Sequence, residues 1–120
     1  MTQVSRIPLS SEIEQRIFEI FLTSLAELRT KEEVEKFITD LLSPTERIML
    51  SKRLSIAFLL QKGFDQRKIA RILKVSLTTI NRVSIAFKIG GNGYRRVIDK
   101  IIKGEKLDEF LYKIDDFIKE

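Results

Sequence analysis

The side chains that could do chemistry gather in one stretch. Between residues 65 and 88 the chain places Gln66, Arg67, Lys68, Arg71 and Lys74, then Ser76, Leu77, Thr78, Thr79, Asn81 and Arg82. These are groups that bind phosphates and base edges rather than groups that transfer protons. Arg and Lys neutralise phosphates, Arg pairs with guanine, and Asn pairs with adenine in a bidentate fashion. Thr offers a hydroxyl to a phosphate or base and a methyl to thymine. The residues suited to other chemistry are missing. There is no histidine and no cysteine, which removes the commonest general base at neutral pH, thiolate and imidazole metal ligands, and any disulfide. Glu32 with Lys36 and Asp115 with Lys119 stand four apart, a spacing of surface ion pairs and not of an acid–base dyad. The glycine cluster at 90–93 follows no strand and makes no phosphate cradle. The sequence therefore implies no enzyme, no metal and no cofactor.

A binding stretch of this kind needs two short helices to hold it. Asp65 can cap a helix over 66–73 by accepting backbone N–H bonds, and Ser76 can cap a second over 77–88. Ile69 and Leu73 point inward from the first. Ala70 is small where the second helix crosses, Val75 plugs the turn, and Ile80 and Val83 anchor the second helix to the core. Leu77, Thr78, Thr79, Asn81 and Arg82 then face outward near its N-terminal end, the end that leads a recognition helix into the major groove. Arg67, Lys68, Arg71 and Lys74 lie where they can clamp the backbone. Lys74 stands where such turns often carry glycine; a left-handed backbone there costs roughly 1 kcal/mol.

Charge follows the same plan. The net charge is +5 with a pI of about 9.6, but it is unevenly spread. Residues 1–43 and 104–120 each carry −3, whereas 44–103 hold 14 Lys/Arg against 3 Asp/Glu, a net +11. A basic centre between acidic ends is the footprint of a polyphosphate-binding surface. No apolar run reaches the roughly 18–20 residues of a membrane span, and the start of the chain has no signal-like apolar core. A cytoplasmic protein is the expectation.

The remaining elements read as helices. Capping boxes at Ser11/Glu14, Thr30/Glu33 and Ser43/Glu46 open three, the last with Pro44 in its first position and Gly63 at its end. The run from Ile89 to Gly93 reads as a turn, followed by a helix over 94–103. After Gly104 comes an amphipathic segment with Leu107, Phe110, Leu111, Ile114, Phe117 and Ile118 on one face. In the first helix Ile13, Ile17, Ile20, Phe21, Leu25 and Leu28 form a stripe that Phe18 and Leu22 widen. Such breadth calls for a second surface, most simply another copy of the chain. The organisation expected is an N-terminal arm at 1–9, a helical domain at 10–103 and a C-terminal helix at 104–120.

The stretch LSPTERIMLSKRLSIAFLLQKGFDQRKIARILKVSLTTINRVS resembles the Trp repressor superfamily. Its continuation through FKIGGNGYRRVIDKI is similar to the YerC/YecD-type branch, which pairs a KRL helix with a TISRV-like helix and a Gly-Asn-Gly-Tyr turn. The resemblance covers about residues 15–103. It implies an all-α, Trp-repressor-like interlocked helical dimer with a helix-turn-helix, and the C-terminal helix is an addition to it. It further implies a homodimer that binds double-stranded DNA as a transcriptional regulator, most simply a repressor. Alternatives left open by the residues are a nucleoid-type architectural binder and a helical, antitoxin-like adaptor for another protein. The family's corepressor lies between two arginines, matched here by Arg53 and Arg82. Val83 replaces a glycine and Ala86 a ligand-contacting serine, so the resemblance does not extend to tryptophan; the two arginines read as phosphate-binding or carboxylate-pairing groups.

Overall fold

The computed structural model describes residues 7–103, together with Glu109 and Tyr112. Six helices follow one another: α1 (Ser11–Ala26), α2 (Lys31–Leu41), α3 (Pro44–Gln61), α4 (Gln66–Leu73), α5 (Leu77–Ile89) and α6 (Asn92–Lys103). The all-α class expected from the sequence is the class observed, and no strand occurs among the described residues. None of the described helices is long and apolar enough to cross a membrane. The expected N-terminal arm and C-terminal helix fall largely outside the described residues.

Local hydrogen-bond chemistry explains most helix ends. Ser43 and Glu46 form a complete capping box: the Glu46 amide donates to Ser43 Oγ at 3.1 Å and the Ser43 amide donates to Glu46 Oε1 at 2.9 Å. Thr30 Oγ1 accepts from the Glu33 amide at 3.1 Å, while the Glu33 carboxylate accepts from Arg29 N–H, one residue upstream of a regular box. The first helix departs from expectation. Its cap is Ser10, whose Oγ accepts from the Ile13 amide at 3.3 Å, so Ser11 is already helical. Glu12 and Glu14 then both sit in the first turn, where the helix dipole favours negative charge. The helix ends at Ala26, so Leu28, which the sequence places in its apolar stripe, falls beyond it.

The chain divides into two compact units, Met1–Ile48 and Met49–Glu120. In the first, none of the described residues is buried. On α1 most of the apolar stripe is open: Ile13, Ile17, Phe18, Ile20, Phe21 and Leu22 are exposed, whereas Leu25 is half-buried. In the second unit lies the core, made of Ile56, Ala57, Phe58 and Leu59 from α3, Ile69 from α4, Ile80 and Val83 from α5, and Ile98 from α6. Leu60, Phe64, Ala70, Ile72, Leu73, Val75, Phe87, Tyr94 and Ile101 pack against it half-buried.

Two glycines at reversals of direction are required by the backbone. Gly63 ends α3 at φ +87°, and Gly91 joins α5 to α6 at φ +68°. A Cβ on Gly91 would stand 2.2 Å from the Phe87 carbonyl oxygen, so no other residue fits there without the turn moving. The turn is tighter than the sequence suggests. It occupies Gly90 and Gly91 only, and Asn92 and Gly93 already belong to α6. Arg95 explains this: its guanidinium donates to Gly90 O at 2.8 Å and to Phe87 O at 2.9 Å, and lies 5.0 Å from the centre of the Phe87 ring. Phe87 in turn stacks on Tyr94, with ring centres 6.2 Å apart. Carbonyls left open at the end of α5 are thereby satisfied by a side chain from α6.

Candidate nucleic-acid interface

The site is built from α4, α5 and the short turn between them. Asp65 caps α4, its Oδ1 accepting from the Lys68 amide at 3.0 Å. Ser76 caps α5, its Oγ accepting from the Thr79 amide at 3.1 Å. Ile69 and Ile80 are fully buried and Val83 nearly so, which locks both helices onto α3 and α6 residues of the core. Ala70 is half-buried, and its carbonyl accepts the Val75 amide at 3.2 Å, closing the turn. Val75 is half-buried against the core.

Lys74 sits at φ 55°, ψ 53°, the one described residue besides glycine with a positive φ. The left-handed conformation considered for it from the sequence is therefore the one it takes. Its carbonyl oxygen is held by Lys52 Nζ at 3.3 Å, a bond from α3 across 22 residues of sequence. That tether had no signature in the sequence. The strain at Lys74 is small, roughly 1–2 kcal/mol, and the Lys52 bond opposes relaxation of the turn.

Among the residues expected at the interface, Arg67, Arg71, Lys74, Ser76, Leu77, Thr78, Thr79, Asn81 and Arg82 are exposed, and Gln66 and Lys68 are half-exposed. Lys68 rests its ammonium 5.4 Å from the Phe64 ring centre, which fixes its position without neutralising it. Arg67, Arg71, Lys74 and Arg82 form no ion pair among the described residues. Residues 66–89 contain no Asp or Glu, so their positive charge meets no compensation within the two helices. Thr79 behaves differently from its neighbours. Its hydroxyl lies 2.9 Å from Ser76 Oγ and belongs to the cap network, which makes it a weaker candidate for a base contact than Thr78.

Arg53 and Arg82, the pair that would flank a ligand, are both exposed. Beside Arg82, Val83 is buried and fills core space rather than lining an opening. Sequence reasoning missed Arg95 and Lys52. Both act on carbonyls far along the chain, and neither the type nor the spacing of a lone cation announces such a role.

The family comparison agrees with this geometry. The family described as Trp repressor protein matches residues 16–102, most of the chain. The chain is 30% identical over 82 residues, 68% of its own length and 79% of the relative's, to "Uncharacterized protein YerC" of Bacillus subtilis (strain 168). No solved structure matches it. The chain belongs to the Trp repressor family, a family of DNA-binding transcriptional regulators.

Proposed function

We propose that this protein is a sequence-specific DNA-binding regulator, a repressor acting as a homodimer, whose α4 and α5 form a helix-turn-helix. The observation that carries the reading is the uncompensated basic and hydroxyl-bearing face of α4 and α5, held rigid by three buried anchors beneath it. The N-terminal half of α5 enters the major groove with Leu77, Thr78, Asn81 and Arg82 toward the bases, while Gln66, Arg67, Lys68, Arg71, Lys74 and the Ser76–Thr79 cap approach the phosphates. The second copy is called for by α1. A helix with six exposed Ile, Phe and Leu residues and no buried one gains stability only from an added surface, roughly 1 kcal/mol for each side chain half-covered. Arg53 serves a phosphate and Arg82 a base on this reading, and no corepressor is needed.

Selection of tight binders from random duplex DNA, with the mass of the complex measured in parallel, tests it. The expected result is an enriched near-palindrome with half-sites about one helical turn apart, bound by two chains. Binding without any enriched motif would make the protein an architectural binder. No salt-dependent DNA binding at all would overturn the reading and favour a protein adaptor.

A further inference from the structure

The leading end of α5, the end that reads bases, has no buried anchor of its own. Ser76, Leu77, Thr78 and Thr79 are all exposed, and the first buried side chain of the helix is Ile80, followed by Val83 and Ser84. Ile80 and Val83 hold the body of the helix on the core. They leave the direction of its leading end to the turn that delivers the chain to Ser76. The Ser76 cap does not settle that direction, because its contacts with the Thr79 amide and hydroxyl stay within α5.

The turn is held through one peptide unit, the one that joins Lys74 to Val75. On one edge its N–H donates to Ala70 O at 3.2 Å, which ties it to α4. On the other its carbonyl oxygen accepts from Lys52 Nζ at 3.3 Å, which ties it to α3. A trans peptide is planar, with its N–H and C=O on opposite edges, so bonds to two different helices fix the plane. Either bond alone leaves the plane free to rock about it. Val75, half-buried against the core, fixes where the turn sits but not how this plane is turned. Lys74 gives the plane a reason to move, since its φ of 55° lies in the left-handed region that side chains disfavour. Lys52 is half-buried and makes no ion pair among the described residues, so no carboxylate there draws its ammonium from the Lys74 carbonyl.

We infer that Lys52 is a positioning residue for base reading: bonded to the Lys74 carbonyl, it sets the direction of the leading end of α5, and with it the reach of Leu77, Thr78, Asn81 and Arg82, without itself touching DNA. A binding constellation must hold its groups within about 0.5 Å of the productive geometry. Base edges impose that tolerance, whereas long, exposed Arg and Lys side chains can follow a phosphate. Lys52 therefore governs affinity for the right sequence and not for duplex as such. The hold on the turn is independent of any ligand; its consequence for base reading rests on the DNA-binding reading above.

Lys52→Met in the full-length protein keeps the apolar stem and removes the donor. Two measurements on it test the proposal. Amide hydrogen exchange without DNA is expected to quicken at Val75, whose N–H belongs to the held peptide, and to stay unchanged at Ile69 and Ile80 in the helices on either side. No change at Val75 overturns the proposal, and so does faster exchange at all three, which marks a general loss of stability. Affinity is then measured at several salt concentrations for the selected site and for random duplex. The selected site should bind roughly tenfold more weakly and random duplex about as before, with the slope of log affinity against log salt unchanged. An equal loss on both duplexes with a slope lowered by about one makes Lys52 a phosphate contact and overturns the proposal. Selected-site affinity that survives faster exchange at Val75 overturns the link to base reading. Should the wild-type protein bind no DNA, the functional reading falls, while exchange at Val75 still decides whether Lys52 sets the turn.

Discussion

Arg82 and Arg67 are both exposed and cationic, yet they occupy different places and should behave differently. Arg82 lies on the outward line of α5 beyond the cap, whereas Arg67 lies in the first turn of α4. Arg82→Ala should cost about 1–3 kcal/mol against the selected site and little against random duplex. Arg67→Ala should weaken both alike and lower the slope of log affinity against log salt by about one. Titrations of both duplexes at several salt concentrations separate the two roles. Lys74 combines a structural cost with a charge. Lys74→Gly keeps the carbonyl that Lys52 holds and relieves the positive φ, so stability should rise by up to about 1 kcal/mol. The same change removes a cation from the turn, so thermal melts should move up while DNA affinity moves down.

At the scale of elements, legibility followed the range of the interaction. Asp65, Ser76, Thr30 and the Ser43–Glu46 box were readable because a cap bonds to an amide two or three residues away, and sequence spacing states that directly. Ile69, Ile80 and Val83 were readable because helical periodicity assigns a face. The choice between Ser10 and Ser11 was not, since either hydroxyl can start the helix and the chain before it decides. The length of the α5–α6 turn was also hidden: Gly90 to Gly93 all suit a loop, and Arg95 is what draws Asn92 and Gly93 into the helix. Gly91→Ala tests the turn. Its new Cβ would meet Phe87 O, and φ is positive, so unfolding stability should fall by more than about 1 kcal/mol. Gly63→Ala, where the space is open, should cost less in the same denaturant titration.

For the whole molecule, the contrast between the two units matters most. Met49–Glu120 contains every buried residue among those described, while α1 and α2 contain none. The breadth of the α1 stripe was visible in the sequence, but the lack of any buried residue among those described in that unit was not, because periodicity gives a face and says nothing of what covers it. A 16-residue helix without tertiary support is marginal in water. Ile17→Glu should therefore give a monomer in sedimentation, with helicity lost by about the share of α1 and little change in the 49–103 core. The Arg95 fork bears on how such a dimer would meet its operator. By donating to Phe87 O and Gly90 O it ties α6 to the end of α5 and stiffens the elbow between them. One inserted base pair between half-sites shifts the second by about 3.4 Å and rotates it by about 35°. A stiff elbow cannot follow, so the protein should discriminate operator length as sharply as operator sequence, and Arg95→Ala should blur that ruler in binding assays with lengthened sites.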